Sequence, residues 1–123
     1  MATNTTSRLI QSMIIRQGDI YLVDLNPVKG HEQAGLRPAL VVQNDILNEN
    51  LSTVVIAPIT SNLKARGMLT TYFLSKNTSH LNQDSVALLF QIRTIDKGRL
   101  GKKIVRLNRE EFIRIKEQLR FVF

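Results

Sequence analysis

Hydrophobic positions in this chain fall in short runs, rich in β-branched residues and separated by turn-forming residues. Residues 18–25 predict a strand, because Ile20, Tyr21, Leu22 and Val23 are strand formers. Asn26 and Pro27 end it, since proline fixes its own φ and disfavours helix at the residue before it. Residues 28–36 (VKGHEQAGL) read as a loop with two glycines and a charged centre. Residues 37–43 predict a second strand, which tolerates Pro38 only near its start. Residues 44–52 are a polar connection with room for a helical turn. A third, β-branched strand is predicted over 53–59 (TVVIAPI), followed by a loop over 61–68. Further strands are predicted over 69–74, 85–90 (running on into 91–96) and 102–107.

The period then changes. Asn108 is a strong N-cap residue, and Glu111 stands where a capping box puts its acid. Phe112, Ile115, Leu119 and Val122 follow at i, i+3, i+7 and i+10, one face of a helix. Short strands with frequent turns, closed by a terminal helix, predict a mainly β fold: a small barrel. Residues 1–12 (MATNTTSRLIQS) show no periodicity and are expected to be a flexible N-terminal extension, leaving 13–123 as a single domain. The extension lacks the apolar stretch of a secretory signal, so the chain is expected in the cytoplasm.

Composition narrows the chemistry. The 123 residues suffice for one domain. No apolar run approaches the roughly 20 residues of a membrane helix. The absence of cysteine removes disulfides, thiolate nucleophiles and cysteine zinc sites, and two histidines alone argue against a closed zinc centre. Net charge is +7, and the excess is concentrated at one end. Residues 97–123 hold nine basic side chains (Lys97, Arg99, Lys102, Lys103, Arg106, Arg109, Arg114, Lys116 and Arg120) against Glu110, Glu111 and Glu117. A small basic chain usually meets a polyanion. The same charge also describes a solvated face, and it does not choose among RNA, DNA and an acidic protein.

Pairing the second and third strands through 44–52, with its centre near Asn48, sets Arg37 opposite Ile59 and Thr60. The loop over 30–36 enters the second strand at that end. His31, Glu32, Gln33, Arg37, Thr60 and Ser61 are therefore expected to gather in one cleft. Singly each has an ordinary structural explanation; together, beside a basic face, they make a candidate anion site.

The motifs go further. Residues 18–27 (GDIYLVDLNP) and 30–42 (GHEQAGLRPALVV), then Asn44-Asp45, 58–61 (PITS) and 91–97 (QIRTIDK) with Arg99-Leu100, closely resemble the MazF/PemK family of toxin endoribonucleases. The resemblance runs from about Ile15 to the C-terminal helix. It implies an SH3-like barrel of the CcdB/MazF type that forms a homodimer. It also implies cleavage of single-stranded RNA, such as mRNA, without a metal or other cofactor. The implied partner is a separate antitoxin with an acidic, initially disordered segment. Residue by residue, the resemblance makes Arg37 and Thr60 the catalytic pair, with His31 and Glu32 as further catalytic candidates. It gives RNA contact to Gln91, and Gln33, Ser61, Arg93 and Phe90 join it as candidates. One departure stands out: many members carry Asp or Glu where this chain has Phe90. Phe90 stacks on a base or joins the core.

Such chemistry requires a base for the ribose 2′-hydroxyl, charge stabilisation at phosphorus and a proton for the leaving oxygen. An arginine fork suits the charge role, and a threonine hydroxyl reaches a phosphate oxygen. His31 and Glu32 compete as general base. Two alternatives belong to other classes. One is a gyrase poison of the same fold, although the chain ends Phe121-Val122-Phe123 without the Trp-Gly-Ile of that family. The other is a catalytically silent RNA-binding barrel.

Overall fold

The computed structural model describes residues 14–25 and 35–123. The chain runs β1 (Asp19–Asp24), β2 (Leu36–Val41), α1 (Asp45–Asn50), β3 (Thr53–Thr60), β4 (Thr71–Leu74), α2 (Lys76–Ser79), β5 (Ser85–Leu88), β6 (Arg93–Asp96), β7 (Leu100–Arg106) and α3 (Arg109–Leu119). Short 3₁₀ turns lie at Leu63–Ala65, Leu89–Gln91 and Lys97–Arg99. The strands form one antiparallel sheet in the order β4-β5-β3-β2-β1-β7, with β6 branching from β3.

β3 is the hub of this sheet. One edge pairs with β2 in the register Ala39↔Pro58, Leu40↔Ala57, Val41↔Ile56. The other edge takes β6 over Thr53–Ile56 and then β5 at Ile59 and Thr60. Pro58 stands where β6 hands over to β5. A proline inside a central strand is tolerated where the ladder is interrupted.

Side-chain alternation divides the core in two. One face gathers Tyr21, Val23, Leu25, Ala39, Val41, Val54, Ile56 and Ile95. The other gathers Ile20, Leu40, Ala57, Ile59, Leu74, Ala87 and Leu89, and there α3 seats Phe112 and Ile115. The sheet is apolar on both faces, which is why β3 reads as a nearly unbroken hydrophobic run. Among the described residues the ladder does not close. The path ends at β4 and β7, so the expected barrel-like fold has an open sheet, with β6 as a branch.

Asn108 caps α3 as expected, its Oδ1 accepting the Glu111 N–H at 2.8 Å. Glu111 does not complete the box. Its buried carboxylate accepts the Tyr72 hydroxyl, Thr78 Oγ1 at 3.1 Å and Arg114 Nη1 at 3.3 Å. The helix ends at Leu119, so Val122 falls in the following turn and Phe121 and Phe123 are exposed. The strand expected over 85–90 stops at Leu88, because the Leu89–Gln91 turn redirects the chain into β6. The expected N-terminal extension lies outside the described residues.

Candidate active site

Carrying the β2–β3 register two residues beyond Ala39↔Pro58 sets Arg37 level with Thr60 on adjoining strands. Arg37 also pairs with Val23 on β1, and Thr60 with Val86 on β5. Residues opposite one another in a sheet point to the same face. Arg37 shares its face with Ala39 and Val41, and Thr60 shares that face with Val54 and Ile56. Arg37 is exposed at the strand end, whereas Thr60 is only 6% exposed. Thr60 Oγ1 accepts the Asn62 N–H at 3.1 Å. That bond holds the side chain and uses only the oxygen; the hydroxyl donates to no acceptor among the described residues.

Beside Arg37 lies a polar cleft of about 240 Å³, which Thr60, facing away from its neighbours Ile59 and Ser61, does not line. Its lining includes Arg37, Ser61, Asn82, Gln83 and Ser85, over an apolar floor of Pro38, Ile59 and Leu81. Sequence reasoning found Arg37 and Ser61 but missed Asn82 and Gln83. They sit in the connection between α2 and β5, which carries no periodicity, and only the β3–β5 pairing brings it to the end of β3.

The remaining candidates separate. Arg93, opposite Ile56 on β6, lies on the same face as Arg37 and Thr60. Its Nη1 donates to the Leu25 carbonyl at 3.4 Å, and the Leu25 N–H donates to the Gly35 carbonyl at 3.0 Å. Arg93 therefore ties β6 to Leu25, just past the end of β1. Phe90 is 42% exposed and does not join the core; Leu89 beside it is fully buried instead. Gln91 holds its Oε1 buried, with no hydrogen-bond partner among the described residues. Phe90 and Gln91 occupy the turn on the β5–β6 flank of β3, and neither lines the Arg37 cleft. His31, Glu32 and Gln33 lie outside the described residues.

Part of the basic excess is structural. Lys103 Nζ and Arg106 Nε both reach the wholly buried Asp19, at 3.3 and 2.7 Å. Lys97 bonds the Asn48 carbonyl, and Arg114 pairs with Glu111. Lys102, Arg109, Lys116 and Arg120 are exposed and make no ion pair among the described residues. Arg109 and Lys116 line a separate cavity of about 390 Å³ against α3. The basic tail thus lies mostly along β7 and α3 rather than around Arg37.

The antiparallel sheet, with a polar cleft at a strand end and a C-terminal helix packed on one face, defines a small mainly β protein of the SH3-like barrel class. Comparison with known proteins makes this specific. Residues 16–123 match the family described as PemK-like, MazF-like toxin of type II toxin-antitoxin system. Endoribonuclease MazF of Staphylococcus epidermidis is 42% identical, over 86% of this chain and 88% of its own. Endoribonuclease EndoA of Bacillus subtilis (strain 168) is 44% identical, over 87% of this chain and 92% of its own. Among solved structures, the Mycobacterium tuberculosis toxin MazF-mt6 superposes with a TM-score of 0.70 at 26% identity, covering 85% of this chain and 95% of that one. The chain belongs to the PemK-like, MazF-like family of type II toxins. No helix among the described residues is long and apolar enough to cross a membrane.

Proposed function

We propose that this chain is the toxin of a type II toxin-antitoxin pair and cleaves single-stranded RNA with Arg37 and Thr60, at the strand end beside the cleft that Arg37 lines. The ribose 2′-hydroxyl attacks the adjacent phosphorus. A base takes the hydroxyl proton, the bond to the 5′ oxygen breaks, and an acid protonates that oxygen. The products are a cyclic phosphate and a 5′-hydroxyl. The nucleophile belongs to the substrate, so this route calls for no nucleophilic side chain and no metal-bound water. Arg37 offers two N–H groups to the charge that builds on the phosphorane. Thr60 donates its free hydroxyl hydrogen to a phosphate oxygen. His31 and Glu32 are the proton-transfer candidates.

What supports this most is the β2–β3 register, which carried past Ala39↔Pro58 sets Arg37 level with Thr60, together with the polar cleft beside Arg37. Family membership favours it over gyrase poisoning. The exposure of Phe90 favours base stacking over a core role. Arg93, Ser61 and Gln33 complete the proposed RNA contacts.

The substrate puts the work in the cytoplasm. The partner is an antitoxin whose acidic segment folds over the basic surface. The protein works as a homodimer. The exposed apolar side chains Ile46, Leu47, Phe121 and Phe123 are suited to meeting a second copy. Sedimentation tests this: the dimer mass is expected, and a monomer at micromolar concentration overturns it.

The test of function is incubation of the purified chain with a defined single-stranded RNA in EDTA. Fragments with cyclic-phosphate and 5′-hydroxyl ends are expected. Dependence on added metal, or 5′-phosphate ends, contradicts the mechanism.

A further inference from the structure

We infer that Asn82 and Gln83 form a base-reading subsite for the nucleotide flanking the cut, with Ser61 as its third polar group. The inference rests on the proposed RNA cleavage at Arg37, with which this subsite is continuous.

The cleft is built as a receptor for one flat, polar-edged ring. Its volume, about 240 Å³, is below the roughly 300–1,000 Å³ taken by drug-sized ligands and suits a single base. Pro38, Ile59, Leu81 and Ile104 supply apolar surface for the ring face. Asn82, Gln83 and Ser61 supply donors and acceptors for its edge. Their side chains are exposed and make no hydrogen bond among the described residues. Side-chain amides are suited to base edges because each offers a donor and an acceptor side by side. Single-stranded RNA presents unpaired edges to be read in this way.

The turn that carries the two amides is braced on both sides. His80 ends α2 with a positive φ of 64°. Leu81 is buried in the core below α3, and its N–H donates to Ser79 Oγ at 3.2 Å. Asp84 Oδ1 accepts the Lys76 N–H at 2.9 Å, and Ser85 Oγ donates to the Gln83 carbonyl at 3.0 Å. Every flanking residue from Ser79 to Ser85 is tied down by burial, backbone geometry or hydrogen bonding. Only the two tip side chains are left unbonded. A reading head held this way loses little freedom when a base binds. Arg37 lines the same cleft, so a base seated there belongs to a nucleotide next to the phosphate that Arg37 holds.

The experiment uses the full chain and one long single-stranded transcript, with cut sites mapped and rates compared at each. The variants are Asn82→Ala combined with Gln83→Ala, and the isosteric Asn82→Asp and Gln83→Glu, which replace amide donors with acceptors. The double variant is expected to cut the preferred sequence about 10- to 100-fold more slowly in kcat/KM, the size of one lost base contact. It should also accept other bases at one position beside the cut. The isosteric variants should change the preferred base at that position, and they decide the question if the double variant does not fold. An unchanged site preference, or equal slowing at every site, overturns the inference. No RNA cleavage by the parent chain overturns the functional reading instead, so the two failures are distinguishable.

Discussion

Arg106 Nε donates to Asp19 Oδ1 at 2.7 Å, joining the first strand to the last across 87 residues. Asp19 is wholly buried; its carboxylate accepts from Arg106 and from the Arg16 N–H at 2.9 Å, and it forms an ion pair with Lys103 at 3.3 Å. A buried carboxylate is stable only when so surrounded. Both cations are partly exposed and therefore screened by water, which moderates the energy of the cluster. Asp19→Ala is expected to lower stability by about 2 kcal/mol, mainly through lost charged hydrogen bonds. Urea denaturation checks this, and an unchanged midpoint contradicts it.

The alkaline limb of stability should belong to the two tyrosines. Burial and the hydrogen bond to Glu111 push the Tyr72 phenol above its ordinary range. Burial and the neighbouring Asp19 do the same for Tyr21. A folded pKa raised above the unfolded one means that the fold favours the protonated phenol. The associated stability is fully present below pH about 10 and is lost as pH rises through the folded pKa values. The chain has two Tyr and no Trp, so ultraviolet titration reads them without interference. Both are expected to ionise above pH about 10 in the folded protein and near 10 in urea. Native titration at or below 10 contradicts this.

Gly101 sits at the irregular pairing of β1 with β7. A β-carbon there would lie 2.9 Å from the Leu22 carbonyl oxygen. That neighbour is backbone and gives way only if the strands separate. Gly101→Ala is expected to cost about 1–3 kcal/mol, as overpacking does elsewhere. Thermal unfolding at matched pH measures it, and a stability equal to the parent's shows that the strands part freely.

How much of this was legible in the sequence differs by element. The strands were readable because β-branched runs and turn residues mark them directly, and counting from Asn48 was enough to set Arg37 near Thr60. Glu111 reads as a capping-box acid because that motif is local, whereas its partner Tyr72 is 39 residues away. The break after Leu88 is hidden in the sequence because 86–90 is continuously apolar, and a run of that kind does not show where the backbone turns. Asn82 and Gln83 were invisible as site residues. Their turn has no periodicity, and the pairing of β5 with the end of β3 brings it to Arg37.

The most direct measurement compares the parent chain and Arg37→Ala on a single-stranded RNA in EDTA, alongside the same RNA with one 2′-deoxy nucleotide at the cut. Circular dichroism is used to confirm that the variant is folded. Removing the charge-stabilising fork is expected to slow cleavage by about 100- to 1,000-fold, the loss seen for a single transition-state donor. The 2′-deoxy substrate should stay intact with the parent enzyme. A folded Arg37→Ala chain that cuts at the parent's rate, or cleavage at the 2′-deoxy position, contradicts the account.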